Sequence, residues 1–194
     1  MHKTRLEAFS DGVLAIIITI MVLEMKVPHG TDLAALKPIL PVFLSYVLSF
    51  LYVGIYWNNH HHMFHTLKRV TGGILWANLH LLFWLSLFPF TTGWMGENLF
   101  APTPTATYGF VLLMAAIAYY VLQQTIVADQ GPQGTLATAL GSDLKGKISP
   151  IIYLLAIPIA FVKPWIAIAL YSTVALIWLI PDRRIEKKLA QGEG

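Results

Sequence analysis

The sequence contains no cysteine and few charged residues. Without cysteine, the 194-residue chain has no disulfide framework, no thiolate metal ligand and no thiol nucleophile. Only 12% of its residues are Asp, Glu, Lys or Arg, which is about half of the share in an average soluble domain. This composition excludes an ordinary cytosolic enzyme, and the 56% hydrophobic content also excludes a disordered chain.

Known catalytic and filter motifs are absent as well. The sequence has no T-V-G-Y-G segment, so it lacks the carbonyl filter of pore-loop potassium channels. It has no Walker lysine motif and no G-x-S-x-G elbow, so neither nucleotide-driven transport nor serine hydrolysis is indicated. We therefore expect a protein that is not an enzyme and that acts within the membrane.

The apolar residues are gathered in six runs. At roughly 20 residues per spanning helix, the chain accommodates about six spans and leaves no room for a separate soluble domain. The predicted fold is all-α, with six transmembrane helices in a single domain over residues 1–194 and with loops expected at residues 93–104 and 129–147. The runs are Phe9 to Met25, Val42 to Tyr56 after Pro38 and Pro41, Gly73 to Phe90, Tyr108 to Val127, Ile148 to Val162, and Trp165 to Ile180.

The basic residues are distributed unevenly between the two sides of this arrangement. Ten of the 13 lysines and arginines lie at the N-terminus, after the second and fourth runs, and in the C-terminal tail, whereas Lys26, Lys37 and Lys163 lie on the opposite side. Cytoplasmic segments carry the excess of positive charge in membrane proteins. This places both termini in the cytoplasm, with the protein in the inner (plasma) membrane. The net charge of +3 is a topology signal and does not indicate nucleic-acid binding.

Polar residues in membrane spans are costly and mark candidate functional positions. At the start of the first run, Ser10 and Asp11 fit either a helix cap with an interfacial charge pair or a functional cluster. The histidines His61, His65 and His80 lack accompanying cysteines and an H-E-x-x-H pattern, so hydrogen bonding near the membrane surface is favoured over a metal site. We expect no metal and no cofactor.

One apolar stripe of the first run is the third candidate. Ile16, Ile20 and Leu23 recur at spacings of i, i+4 and i+7, and Thr19 lies beside them. Such a stripe fits a lipid-facing or packing surface as well as a pore lining, and the periodicity leaves this open.

Arg5, Phe9, Ser10 and Asp11 form the pattern R-x-x-x-F-S-D at the start of the first long apolar run. Together with the polar segment from Trp57 to His62, this pattern resembles the family of the lysosomal potassium channel transmembrane protein 175. The resemblance implies a bacterial, potassium-selective channel without a pore loop. It further implies a homotetramer in the lipid bilayer in which the first helix of each copy lines a central pore.

The resemblance also implies roles for individual residues. Ile16 would form the narrowest constriction, Ile20 and Leu23 would continue the apolar neck, and Thr19 would lie near the constriction. Such a neck selects potassium ions because they lose their water more readily than sodium ions, and protons could also pass along a transient file of water. The motif residues would bond to neighbouring helices, with four candidate partners: Trp57, Asn58, His61 and His80.

A proton-coupled or metal-ion transporter is the alternative interpretation. It is suggested by Asp11, Glu24 and the histidines, but transporters of this kind usually show related halves with broken helices. A membrane enzyme or scaffold ranks third, because the sequence offers no recognisable set of nucleophile, base and oxyanion donors.

The charge distribution makes a testable prediction about topology. A single cysteine introduced as Gln191→Cys should react only with a label applied to the cytoplasmic side, whereas Asn98→Cys should react only with a label applied outside. The natural sequence has no cysteine, so the background is free of labelling. Labelling of Gln191→Cys from the outside would contradict the proposed orientation.

Overall fold

The computed structural model describes residues 2–131, 133–140 and 143–179, and within these ranges all regular elements are helical. This confirms the all-α prediction. Ile180 and the basic residues of the C-terminal tail lie outside the described residues. The helices are α1 (Lys3–Leu23), α2 (Leu40–His65), α3 (Gly72–Ser86), α4 (Phe88–Glu97), α5 (Pro102–Gln130), α6 (Thr135–Leu140), α7 (Leu144–Val162) and α8 (Pro164–Leu179), with a short 3-10 helix (Leu33–Ile39) before α2.

Five stretches of the described residues are long and apolar enough to cross a bilayer. The sixth apolar helix, α8, has 16 residues and falls below the length of the others. The chain is therefore a multi-pass membrane protein, while the full count of six spans stays a prediction. The five stretches are Lys3–Leu23, Leu33–His65, Gly72–Glu97, Pro102–Gln130 and Leu144–Val162.

The third apolar run continues further than predicted. A second helix, α4, follows α3 after Leu87 and extends to Glu97, so the expected loop at residues 93–97 was wrong. Gly93 and Gly96 lie inside α4, and groups of neighbouring segments approach both glycines closely. A Cβ atom at Gly96 would lie 2.7 Å from the Cα of Val42 in α2. This close helix contact outweighs the cost of a glycine in a helix, about 1 kcal/mol.

Two other segments are also more helical than expected. The helix α1 begins at Lys3, six residues before the predicted run, so the whole R-x-x-x-F-S-D pattern lies within its first turns. The predicted loop at residues 129–147 contains the short helix α6 and the start of α7, where the Asp143 side chain accepts a hydrogen bond from the Gly146 backbone N–H at 3.3 Å. Capping of this kind satisfies a donor that the helix itself leaves free.

The helices pack around α5, which contacts α3, α4, α7 and α8, while α1 packs on α2, α3 and α4. The helices α5 and α7 pack against each other, and each contributes two fully buried alanines: Ala115 and Ala118 from α5, and Ala156 and Ala160 from α7. Small residues allow close backbone approach, which is how helices associate in membranes.

Tyrosine hydroxyls are bonded inside the bundle. The Tyr52 hydroxyl donates to the Tyr171 carbonyl at 2.6 Å, and the Tyr153 hydroxyl donates to the Tyr52 hydroxyl at 3.1 Å. The Ser49 hydroxyl bonds to Tyr108 at 3.0 Å. The bilayer core offers no water, so each polar group needs a partner within the protein. These bonds connect α2, α5, α7 and α8.

The loop between α2 and α3 is attached to the end of α5. The Arg69 guanidinium donates to both carboxylate oxygens of Asp129 at 2.8 to 3.2 Å, and this ion pair raises the pKa of Arg69. The Gln130 side-chain amide donates to the Thr66 carbonyl at 2.8 Å. The two contacts join one end of α5 to the loop that follows α2.

A glycine substitution tests the packing of α8 on α5. A Cβ atom at Gly109 would overlap the hydroxyl and ring of the buried Tyr171, whereas a Cβ atom at Gly54 would meet nothing within 4 Å. We expect Gly109→Ala to lower the free energy of unfolding by about 1–3 kcal/mol, the usual cost of overpacking. Gly54→Ala is the matched control and should leave it unchanged or slightly raised. Equal melting temperatures of the two variants would contradict this packing.

Candidate functional site

The helix α1 is fixed to the rest of the subunit along one side. Its buried residues recur every three or four positions and face α2, α3 and α4: Leu6, Ser10, Leu14, Ile17 and Met21. Residues at this spacing share one face of a helix. The other face of α1 is therefore left uncovered by its own subunit.

The predicted stripe lies on this uncovered face. The exposed fractions are 59% for Ile16, 42% for Ile20 and 75% for Leu23, and Thr19 is exposed beside them. The Thr19 hydroxyl donates to the Ala15 carbonyl at 2.9 Å, which leaves the lone pairs of its oxygen available. The stripe thus presents three large aliphatic side chains and one hydroxyl oxygen away from the subunit.

Ser10 anchors α1 through a chain of buried hydrogen bonds. The Asn78 amide of α3 donates to the Ser10 hydroxyl at 3.0 Å, and the Ser10 hydroxyl donates to the Leu6 carbonyl at 2.9 Å. The Asn78 carbonyl oxygen lies 2.8 Å from His60 Nε2 of α2, so this histidine carries its proton on Nε2. Three helices are joined at this one point.

Asp11 is anchored separately, to α2. The Trp57 indole N–H donates to the Asp11 carboxylate at 3.1 Å, and the Trp57 ring stacks on His61. His61 and Asp11 line a common cleft of about 310 Å³, whose wall also includes Glu7 and Lys3. Two of the predicted partners, Trp57 and His61, therefore lie at the motif.

The remaining predicted residues have other surroundings. His80 accepts a hydrogen bond from the Trp84 indole at 3.0 Å, one turn further along α3. Asn58 is half-buried, and among the described residues it has no hydrogen bond to the motif. Arg5 and Phe9 are exposed on the same side of α1 as the stripe. In place of His80 and Asn58, the structure brings Asn78 and His60 to the motif.

The sequence analysis did not identify Asn78 and His60 as partners of the motif, and only Asn78 had a signal that could have revealed it. Asn78 is the single amide in the third apolar run, and a polar residue inside a span usually has a partner on another helix. His60 stands within three consecutive histidines, and nothing in the pattern distinguishes which of them is buried. Its burial follows from the rotation of α2.

The opposite end of the stripe also carries charged groups. Glu24 directly follows α1, and its carboxylate contacts Gly93 of α4. Partial burial and the nearby carboxylate of Glu97 raise the pKa of Glu24. Lys26 pairs with Glu97 at 2.9 Å. The described residues contain no group of three or more His, Cys, Asp or Glu side chains that could hold a metal ion.

The sequence matches a known family over the part that contains this site. A profile described as "Endosomal/lysosomal potassium channel TMEM175" matches residues 5–89, from the first residue of the motif into α4. A protein named as a potassium channel from Chryseobacterium sp. is 61% identical over 98% of this chain and 100% of its own length. The chain belongs to the TMEM175 family. Members of this family are ion channels and not enzymes.

The fold is shared with a solved member of the TMEM175 family. The crystal structure of a lysosomal potassium-selective channel TMEM175 homolog from Chamaesiphon minutus superposes with a TM-score of 0.79 at 28% identity, covering 93% of this chain and 97% of that one. The endosomal/lysosomal proton channel TMEM175 of Bos taurus is 40% identical over 37% of this chain and 17% of its own length.

The hydrogen bond from Trp57 to Asp11 predicts how the loss of one N–H donor changes the stability of the protein. Trp57→Phe keeps an aromatic ring but removes the indole N–H, so it should lower the free energy of unfolding by about 1 kcal/mol. Trp76→Phe on α3 is the matched control, because Trp76 is 75% exposed and has no hydrogen bond among the described residues. Thermal unfolding of the purified protein in detergent measures the difference. Equal melting temperatures for the two variants would show that the contact does not anchor α1.

Proposed function

We propose that this chain is a potassium-selective channel whose pore is lined by Ile16, Ile20 and Leu23 of α1. The observation that carries the proposal is the exposed apolar stripe on a helix whose opposite face is fixed to its own subunit. A stripe held at one rotation can form a ring when several copies meet around an axis. The relatives named as potassium channels support potassium as the permeating ion.

The proposed assembly is a homotetramer of single six-helix domains spanning residues 1–194. One copy of α1 cannot enclose a pore, because a pore wall needs several helices around one axis. The stripes of several subunits must therefore face each other. Both termini lie in the cytoplasm in this arrangement, and the protein is placed in the inner membrane. Basic residues are in excess in the N-terminal segment, in the loops after the second and fourth apolar runs, and in the C-terminal tail. This excess supports the orientation.

Selectivity in this pore comes from the cost of removing water from the ion. The axial distance from Ile16 to Leu23 is roughly 10 Å at the rise of an α-helix, so the apolar neck is about two turns long. An ion that enters such a neck gives up hydration that the side chains do not replace. Sodium holds its water more tightly than potassium, so the barrier is higher for sodium.

Thr19 supplies the polar contact within the neck. Its hydroxyl proton is used by the Ala15 carbonyl, so its oxygen faces the pore as an acceptor for a partly dehydrated cation. Four such oxygens near one level would lower the barrier without forming a carbonyl filter. The contribution of Thr19 is expected to be smaller than that of Ile16, which sets the width.

The motif residues have a positioning role in this proposal. Ser10 and Asp11 hold α1 at its rotation and its angle to the pore axis through bonds to α2 and α3. Arg5 and Phe9, for which the resemblance implied the same role, are exposed on the stripe side of α1 and have no such bond among the described residues. Asp11 also adds negative charge near the cytoplasmic entrance, which raises the local cation concentration. Function thus depends on these residues without any contact between them and the ion in the neck.

Proton permeation is a second property of the same pore. Relatives from animals are named as proton channels, and an apolar neck that fills transiently with water can pass protons along the water file. Proton flux would share the Ile16 constriction with potassium flux, so a substitution there should change both. A coupled transporter differs in that its flux saturates and depends on a second ion.

A substitution at the constriction tests the proposal. Ile16→Asn replaces an apolar ring with a shorter polar one, so hydrated ions should pass and the conductance should rise. The ratio of potassium to sodium permeability should fall about tenfold, which corresponds to roughly 1.4 kcal/mol of lost discrimination. Reversal potentials of the protein reconstituted in a planar bilayer under potassium and sodium gradients measure this ratio.

Ile18→Asn is the matched control. Ile18 lies about 200° around the helix from Ile16 and packs against the core, so the same substitution should reduce stability while leaving the selectivity of the surviving channels intact. Native mass measurement should show a tetramer for the wild type and for Ile16→Asn. Full selectivity in Ile16→Asn, or a conducting monomer, would contradict the proposal.

A further inference from the structure

A second cavity, partly open to the outside, lies between the helices of the subunit, away from the α1 stripe. It has a volume of about 50 Å³ and is lined by residues of α2, α5, α7 and α8, together with Asp143 just before α7. This space holds roughly three or four water-sized groups. The cavity is distinct from the pore, because its walls include no residue of α1.

Polar side chains without partners line this cavity. Gln123 is 4% exposed and Tyr56 is 9% exposed, and neither side chain has a hydrogen bond among the described residues. Asn59 donates through its amide N–H to the Ile55 carbonyl at 2.8 Å, which leaves its side-chain oxygen free. A buried polar side chain without a partner is costly, so Gln123 and Tyr56, together with the free oxygen of the half-buried Asn59, point to a ligand in this cavity.

Aromatic rings form most of the remaining wall. Tyr119, Tyr120, Tyr153 and Trp178 line the cavity from α5, α7 and α8. The Trp178 indole N–H already donates to Ser149 at 2.8 Å, and the Tyr153 hydroxyl donates to Tyr52 at 3.1 Å. Trp178 and Tyr153 therefore offer ring surface and have no free N–H or O–H donor. Aromatic faces attract cations, and ammonium groups above all.

We propose that this cavity binds a small primary ammonium ion, the protonated form of a short alkylamine. Such an ion has three N–H donors, which match the three acceptor oxygens of Gln123, Tyr56 and Asn59. Its alkyl group lies against the aromatic rings. The Asp143 carboxylate beside the cavity balances the charge and attracts the cation.

The position of the cavity connects it to α1. Tyr56 and Asn59 line the cavity, while Trp57 and His60, each one residue further along α2, bond to Asp11 and to Asn78. Successive residues of a helix point about 100° apart, so one turn of α2 serves both surfaces. A bound ammonium ion that orders this turn also orders the contacts that hold α1. This link to conduction rests on the proposed function, whereas the binding itself does not.

Thermal unfolding of the full-length protein in detergent tests the site without measuring current. Methylammonium chloride should raise the melting temperature with a saturable dependence on concentration, because a ligand that binds the folded state stabilises it. Tetramethylammonium chloride, which has no N–H donor, and sodium chloride at equal ionic strength should produce no saturable rise.

Substitutions assign the effect to the cavity. Gln123→Leu removes a buried acceptor, and Tyr56→Phe removes a hydroxyl with little change of shape, so each should weaken the apparent affinity for methylammonium at least tenfold. Gln124→Leu is the matched control, because Gln124 is the exposed neighbour of Gln123. It should retain the wild-type affinity. If Gln123→Leu does not fold, Tyr56→Phe decides the question alone.

Several results would overturn the proposal. The absence of a saturable shift in the wild type would mean that the cavity holds only water. An undiminished affinity in Tyr56→Phe, or an equal loss in Gln124→Leu, would place the amine elsewhere. Ile16→Asn should keep the methylammonium shift, so a failure of the pore assignment and a failure of the ammonium site give different results.

Discussion

The hydrogen bond between Asn78 and Ser10 determines how α1 is rotated in the subunit. Inside a bilayer an unsatisfied amide costs several kcal/mol, so Asn78 must find partners on the helices next to it. It finds Ser10 on α1 and His60 on α2, both fully or almost fully buried. Once Ser10 faces inward, Ile16 must face outward, because six positions along a helix correspond to a rotation of about 240° relative to Ser10.

Two sides of α2 make different contacts at the same level of the helix. One side holds α1 through Trp57 and His60, and the other contributes Tyr56 and Asn59 to the cavity. The polar segment that ends α2 is therefore no simple interfacial belt. Its residues are divided between the surface that contacts α1 and the surface that lines the cavity. Trp57 and His60 belong to the first surface, and their chain neighbours Tyr56 and Asn59 belong to the second.

Much of the architecture could be predicted from the sequence, because apolar runs separated by prolines, glycines and charges indicate membrane helices directly. The stripe of Ile16, Ile20 and Leu23 could be found from its spacing. The helical path through Gly93 and Gly96 could not, because it depends on the approach of Glu24, just after α1, and of Val42 and Ser45 in α2. The role of Asn78 depends on tertiary contact in the same way, because the sequence does not show which of Asn78 and His80 faces α1.

The length of α5 has a consequence for the membrane around the protein. A helix of 29 residues is roughly 43 Å long, well above the hydrocarbon thickness of about 30 Å. It must tilt or project into the headgroups, and the pairs of Arg69 with Asp129 and of Thr66 with Gln130 lie at its end. A thicker or thinner bilayer changes this tilt. The end of α5 and the loop bonded to it therefore change their depth relative to the headgroups together.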